Sequence, residues 1–440
     1  MAVAIGATRD SSINGTSNGH TNNNHISTGT FPIVISGGGC VGLFLALLLA
    51  NSSIPNKIIV IEPQSPDVSS TRAMAHQPPT YPILSRVPGL LPELIKAGSL
   101  SSGLCFRTSV ANGSKVIAEK RFNNDGEGMK GKGQLLLPQG RFQEVLMRRL
   151  AATNGKAKVR IGSAVTGFTQ YDDHVSVTIS GTETIGASYL VAADGSHSLI
   201  RKTLGTPFEG ETLDAQLVAL DLHFPFSDHG FHDANFIIDP INYGLIGRIL
   251  PATSTAPALW RVSYGASLGM SEAEVKENVH EKLRTMLPKA GRGEDGDRGY
   301  EVVRVAPYKA QQLLASTLYT NRICLVGDAA HLTNPYAGLG LASGIADAAS
   351  LAEVLEHILI GEAKDDENLL NAWSEARRQR FSDVVDKPSR MAYKRVRSDV
   401  STDEKLQEFL SRDPMVGALK KGMPVMPPTL ETRGEDLVGW

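Results

Sequence analysis

Three glycines are spaced as a phosphate-binding turn requires. Gly37, Gly39 and Gly42 stand in "SGGGCVG", between the short apolar run "FPIVIS" and the longer "LFLALLLA". In a dinucleotide fingerprint Gly37 makes the tight turn and Gly39 lets a pyrophosphate approach the backbone, while Gly42 lets the helix pack on the strand. Glu62 ends "NKIIVIE", 20 positions after Gly42. At that strand end it can accept hydrogen bonds from a ribose hydroxyl pair. The same glycine spacing also serves plain turns in apolar cores, so its meaning depends on what surrounds it.

Two later stretches bear on that meaning. "YLVAADGSHSLIRKTLG" (189–205) carries Asp194 and Gly195 at the end of an apolar run, then Ser198 and Arg201. "RICLVGDAAHLTNPYAGLGLASGIADAASLAEVL" (322–355) carries Gly327 and Asp328 at another, then Pro335, Gly338, Gly340, Leu341 and Asp347. No metal-ligand spacing occurs. The three cysteines, Cys40, Cys105 and Cys324, are far apart and form no CxxC pair. They read as small buried hydrophobes in a reducing, cytoplasmic setting.

The elements that must position these residues follow the change in apolar period. Strand, glycine turn, helix (40–51) and strand (56–63) form a βαβ unit with a parallel pair. A Pro-rich loop with a short helix follows over 75–92, then a helix over 140–152, then alternating strands. Between Pro207 and Pro307 the segments become strand-like and aromatic, with one amphipathic helix around 271–287. "RICLVGD" returns to the parallel sheet, and a long charged helix runs over about 367–397. We expect a disordered leader at 1–30 and a discontinuous nucleotide-binding domain at 31–206 and 305–365, with a substrate-side segment at about 75–135. A substrate domain at 207–304 and C-terminal helices and tail at 366–440 complete the layout. The fold class is α/β, a Rossmann-like domain with an inserted antiparallel sheet.

Composition excludes other classes. The 440 residues carry a formal net charge of -2, with 41% hydrophobic and 20% charged residues. That balance gives no footprint for nucleic acid or an anionic membrane. The longest uncharged apolar run, 41–50, is shorter than the roughly 20 residues a span needs. No residue pattern specifies an oligomeric state.

Taken together, the three motifs resemble those of the class A, single-component FAD-dependent monooxygenases, the family of para-hydroxybenzoate hydroxylase. The resemblance runs from about 31 to 355. It implies FAD as the resident cofactor, NADPH (or NADH) as a transient co-substrate, and O2. It further implies hydroxylation of a phenolic or polyketide-derived aromatic metabolite through a flavin C4a-hydroperoxide, as in fungal secondary-metabolite tailoring enzymes. Baeyer–Villiger or epoxidising oxygen insertion, and an FAD-dependent reductase of the same fold, stand beside it as alternatives. The implied FAD contacts are Gly37, Gly39, Gly42, Glu62, Arg72, Gln139 with Arg141 behind it, Asp194, Gly195 (supported by Arg201), Asp328, Gly338, Gly340 and Leu341. Ala342 departs from the Asn found in many relatives, which leaves a backbone contact there but no side-chain one. After about residue 397 too little chain remains for the family's optional thioredoxin-like domain.

Oxygen transfer to a phenol calls for a base or donor that favours the phenolate. Arg72, His76, Tyr243 and Arg248 are the catalytic candidates, with Tyr81, His223 and Tyr264 behind them. His331 reads as a histidine bonding backbone, and Asp347 equally as a helix-capping charge partner or a flavin contact.

Overall fold

Four consecutive buried β-branched or small residues, Ile33–Ser36, form a strand with both faces covered. Such a run suits the centre of a parallel sheet. In the computed structural model, which describes residues 30–72, 75–125, 131–289, 298–423 and 429–440, this strand lies inside a six-stranded sheet. Its parallel neighbours are Ile58–Glu62 and Tyr189–Ala192; Ala157–Ile161 and Ile323–Leu325 extend the sheet on either side, and Tyr319–Thr320 closes one edge antiparallel. The leader expected at 1–30 lies outside the described residues except for Thr30.

The helix Cys40–Ala50 covers this sheet and is apolar almost all round. It packs on the helices Gln139–Ala151 and Gly340–Leu359, so a helix with no polar face is buried on every side. The three-stranded meander of Val165–Gln170, Val175–Ile179 and Glu183–Ala187 joins the same core.

The second layer is an eight-stranded sheet. Next to the short edge strand His331–Leu332 runs the long antiparallel ladder of Glu301–Ala315 with Phe208–His223, followed by Leu259–Ala266, Gly244–Leu250 and Ala234–Ile238. Gly103–Thr108 then adds in parallel and Val116–Arg121 antiparallel. The α/β class with a parallel nucleotide sheet and an inserted, mainly antiparallel sheet is therefore the class observed. The strand Glu301–Ala315 runs unbroken through residue 304, where a domain edge was expected, and two strands of the 75–135 segment belong to this sheet. One face of the sheet is covered by the helix Glu272–Met286, whose Ser271 and Glu274 form a reciprocal capping box. The other face looks toward the nucleotide domain.

The long C-terminal helix is observed as three pieces: Asp366–Arg380, a π-helical turn Phe381–Asp386, and Lys387–Val396. Pro388 lies in the first turn of the third piece, where its missing N–H removes one ladder bond. The helices Asp403–Arg412 and Pro414–Lys420 follow.

Candidate active site

The glycine turn has the geometry its spacing predicted. Gly37 has φ +111°, and a Cβ there would stand 2.2 Å from Ala193 O. A Cβ on Gly42 would meet Gly37 O at 2.1 Å, which is the close helix–strand contact. At Gly39 a Cβ would meet nothing within 4 Å. Gly39 also begins the helix Cys40–Ala50, whose first turn has no side-chain cap and no acidic residue. The free N–H groups and the positive end of the helix dipole there form an anion site. Two glycines close the turn and the third leaves an open cradle at a helix N-terminus. That arrangement fits a pyrophosphate.

Glu62 stands beside the cradle. Its carboxylate accepts from Gly38 N at 2.6 Å and from Gln64 N at 2.9 Å. It thus fixes the turn. Gln139 opens its helix next to the same first turn, with its carbonyl 3.8 Å from Cys40 Sγ. Arg141 is exposed on that helix. Gly140 packs directly on the loop before Arg72, since a Cβ there would meet Asp67 O at 2.2 Å.

Asp194 caps the short helix Leu199–Thr203 by accepting from Leu199 N at 3.0 Å, and its second carboxylate oxygen is buried without a hydrogen-bond partner among the described residues. Gly195 has φ +80° and open space where a Cβ would point. Arg201 ties this segment to the Asp328 turn: it donates to Ser196 O at 2.9 Å and to Ala329 O at 2.8 Å while stacking on Phe208. Asp328 is exposed on the turn after the strand Ile323–Leu325, and desolvation by the protein packed near it raises its carboxyl above the usual range. Behind the turn, Asp347 is fully buried. It accepts from Gly327 N (3.0 Å), His331 Nε2 (2.7 Å) and Arg377 Nε (2.8 Å), which hold its carboxyl down at about 2 against the opposing effect of burial. Asp347 and His331 therefore support the turn from below.

The loop from Pro335 to Leu341 is held by two buried amides that sequence reading missed. Gln312 Oε1 accepts from Thr333 Oγ1 (2.9 Å) and Asn334 Nδ2 (3.0 Å), and Asn334 caps Tyr336 N at 3.1 Å. Gly338 has φ +65° and faces Gln77, where a Cβ would be 2.5 Å from Nε2. Gly340 and Leu341 begin the helix Gly340–Leu359, again without a side-chain cap or a first-turn acid. A partial positive charge there favours an anionic group by about 1 kcal/mol. Ala342 is buried, with no polar group to offer.

The catalytic candidates separate. Arg72 is exposed, and its carbonyl accepts from Arg261 Nη1 at 3.1 Å. Arg261 in turn makes a two-point pair with Asp221 (2.8 and 3.0 Å) and reaches Thr71 Oγ1 at 3.0 Å. This clamp from the inserted sheet sets the path of the Arg72 loop. Tyr243 is buried beside the loop from Pro335 to Leu341, its ring 6.2 Å from Tyr336 and 6.1 Å from Tyr393.

His76 and Arg248 are corrected by the structure. His76 is 5% exposed, its Nε2 donates to Leu137 O at 2.9 Å, and its ring packs edge-on against Phe142. It is a core histidine, because burial without an anion keeps it neutral and pushes its pKa down to about 4. Arg248 points to the opposite sheet face and is paired with Asp233 at 2.5 Å. Among the second-line candidates, Tyr81 is tied to Gly133 O and His223 to Ala258 O at the far end of the sheet, while Tyr264 packs under the helix Glu272–Met286.

The residues of the sheet face toward the nucleotide domain form three ladder rows. Arg304, Asp221, Arg261 and Gly247 make one, and Ala306, Ala219, Ser263 and Leu245 the next; Tyr308, Leu217 and Gly265 make the third, with Tyr243 lying over Gly265. Tyr308 is 38% exposed on that face. Only strand register could have identified it.

The chain matches the FAD binding domain family over residues 30–388. It is 34% identical over 326 residues to para-nitrophenol 4-monooxygenase of Pseudomonas sp. strain WBC-3, spanning 73% of this chain and 77% of that one. It is 29% identical over 357 residues to 6-hydroxy-3-succinoylpyridine 3-monooxygenase HspB of Pseudomonas putida strain DSM 28022 / S16, spanning 80% and 86%. Among solved structures it is similar to p-nitrophenol 4-monooxygenase PnpA from Pseudomonas putida DLL-E4, with TM-score 0.77, 30% identity, and 89% and 96% of the two chains covered.

Proposed function

Because the chain belongs to the FAD-dependent monooxygenases that share this FAD-binding domain, we propose that it uses NAD(P)H and O2 to hydroxylate a phenolic aromatic ring. In this reading the Gly37–Gly39–Gly42 turn and the start of the helix Cys40–Ala50 hold the FAD pyrophosphate, and Glu62 meets the adenosine ribose. Gln139, Asp194, Gly195 and Asp328 line the middle of the cofactor, with Arg72, Gly338, Gly340 and Leu341 at its flavin end. Bound FAD supplies hydride acceptance and oxygen activation, while the chain supplies position, charge and exclusion of water.

One observation carries the reading to an aromatic substrate. The loop that starts the flavin-side helix packs, through Tyr336 and Ala337, against the face of the inserted sheet that bears Tyr243 and Leu217. A cofactor lying along the helix start would therefore present its ring to an enclosed, tyrosine-lined sheet face. The names of the relatives, a nitrophenol and a hydroxypyridine monooxygenase, agree with a ring of that kind.

The test uses the purified FAD-loaded protein. NADPH and NADH oxidation is followed with and without a panel of phenols headed by para-nitrophenol, and the aerobic products are analysed by mass spectrometry. Slow oxidation alone, acceleration by a phenol, and a product that gains one oxygen atom with its ring intact are expected. Product formation under nitrogen, or an oxygen inserted into a ring bond, would refute the hydroxylase reading.

A further inference from the structure

Residues 331–334 join the Asp328 turn to the loop from Pro335 to Leu341, and the π-helical turn Phe381–Asp386 packs against them. Phe381 is buried and stacks on the His331 ring at 4.4 Å, while Asp386 accepts from Gln312 Nε2 at 2.8 Å. Residues five apart diverge by roughly 140° in an α-helix. The i→i+5 bonding of a π turn brings them close to one face, so Phe381 and Asp386 reach the same short ladder, in which His331 pairs with Leu314. Gln312 is buried there, and the two ends of its amide are not interchangeable. A carboxylate only accepts, so Asp386 keeps the NH2 group on its own side and turns Oε1 toward the loop. Oε1 then accepts from Asn334 N (2.5 Å), Thr333 Oγ1 (2.9 Å) and Asn334 Nδ2 (3.0 Å). A reversed amide would set its NH2 group against three donors. The other Asp386 oxygen accepts from Arg390 Nε at 2.7 Å.

On the reading that this loop and the start of the helix Gly340–Leu359 meet the flavin end of FAD, we propose that Asp386 on the π turn is a positioning residue for the cofactor: it orients the Gln312 amide, and that amide holds the loop. The effect passes through one hydrogen-bonded side chain, so it depends on which group donates and which accepts rather than on bulk. Gln312→Glu keeps the shape and the acceptor that the loop needs, but it sets two carboxylates against each other. Adding Asp386→Asn restores a donor–acceptor pair with its polarity reversed, and the new amide oxygen is left for Arg390.

The apoproteins are titrated with FAD by fluorescence, and the visible circular dichroism of the bound flavin is recorded. Both are done at about pH 8, so that the paired carboxylates of Gln312→Glu share a proton least. Gln312→Glu should raise the Kd for FAD at least about tenfold and change the flavin dichroism. The Gln312→Glu/Asp386→Asn double variant should recover most of both. Asp386→Asn alone should bind FAD nearly as the wild type does, because its amide oxygen still accepts from Gln312. Arg390→Ala, which removes only the ion pair, should leave FAD binding unchanged. Should Gln312→Glu not fold, Thr333→Val carries the test: it removes one donor from Gln312 Oε1 and should change the flavin dichroism. A double variant no better than Gln312→Glu, an Arg390→Ala protein that loses FAD as severely, or an unchanged dichroism in Thr333→Val would overturn the role of Asp386. If the wild type binds FAD and every variant matches it, only this inference fails; if the wild type binds no FAD, the functional reading falls as well.

Discussion

Adding a single methyl group to the glycine turn should have opposite consequences at Gly39 and Gly42. Gly39 has φ −68° and ψ 174°, a conformation any residue adopts, and its Cβ direction is empty to 4 Å. Gly39→Ala should therefore leave the apoprotein as stable as the wild type or slightly more so, because alanine reduces the freedom of the unfolded chain. The same methyl occupies the path by which a pyrophosphate reaches the helix N–H groups. Losing one charge-assisted hydrogen bond there costs about 1.5–3 kcal/mol, so FAD affinity should fall at least about tenfold. Gly42→Ala would place its methyl 2.1 Å from a backbone oxygen. A comfortable carbon–oxygen separation is roughly 3.3 Å, so the helix must withdraw by about 1 Å. Overpacking of this kind costs about 1–3 kcal/mol and lowers Tm by a few degrees. The assays are calorimetry of the apoproteins and fluorescence titration with FAD. A Gly39→Ala protein that binds FAD normally, or a Gly42→Ala apoprotein with unchanged Tm, would refute the assignment of the cradle.

Other expectations follow from the same geometry. Asp328→Ala should weaken FAD more than Glu62→Ala, since no protein donor is seen on the Asp328 carboxylate among the described residues whereas Glu62 also spends its oxygens on Gly38 and Gln64; parallel FAD titrations decide it. Arg72→Ala should reduce substrate-stimulated flavin reduction at least about tenfold without changing Tm, because its side chain makes no hydrogen bond among the described residues and only its backbone is clamped. Arg248→Ala should cost about 3 kcal/mol or more by leaving Asp233 buried without its cation, while FAD affinity stays the same; denaturant unfolding and FAD titration separate the two. His76, depressed to about 4, stays neutral when folded, whereas the unfolded chain takes up its proton near pH 6.5. Its stabilising share is present above about pH 6.5 and is lost as pH falls toward 4, by about 3 kcal/mol in all. The stability gap between wild type and His76→Gln should therefore narrow between pH 7 and pH 4.5 in urea melts.

Features written in one contiguous stretch were readable from the chain. The glycine turn, the Asp194 and Asp328 strand ends and the Gly340 helix start are local motifs, and the structure brings them toward one recess. Features that depend on register were not readable. Tyr308 faces the recess only because the strand Glu301–Ala315 pairs with Phe208–His223 in one particular alignment, and a one-residue slip would turn it away. The Thr71–Asp221–Arg261 clamp and the Gln312–Asn334 staple join residues far apart in sequence, at positions ordinary by composition. His76 misled because a histidine beside a Pro-rich loop gives no hint that Leu137 and Phe142 will enclose it. The break at 380 did have a signal, Pro388, which a helical charge pattern outweighed.

The buried Asp347 also bears on how the protein is made. Its carboxylate supports the Asp328 turn through Gly327, and it is itself held by Arg377, which donates to Leu430 O at 2.7 Å and Thr432 Oγ1 at 3.1 Å. The strand carrying the glycine turn is translated some four hundred residues before that last support. At 5–20 residues per second the nascent chain waits on the order of half a minute with one wall of its nucleotide site unfinished. Capture of the cofactor is then a late event in biosynthesis, and a ribosome stalled before residue 430 would display a folded βαβ unit that holds FAD poorly.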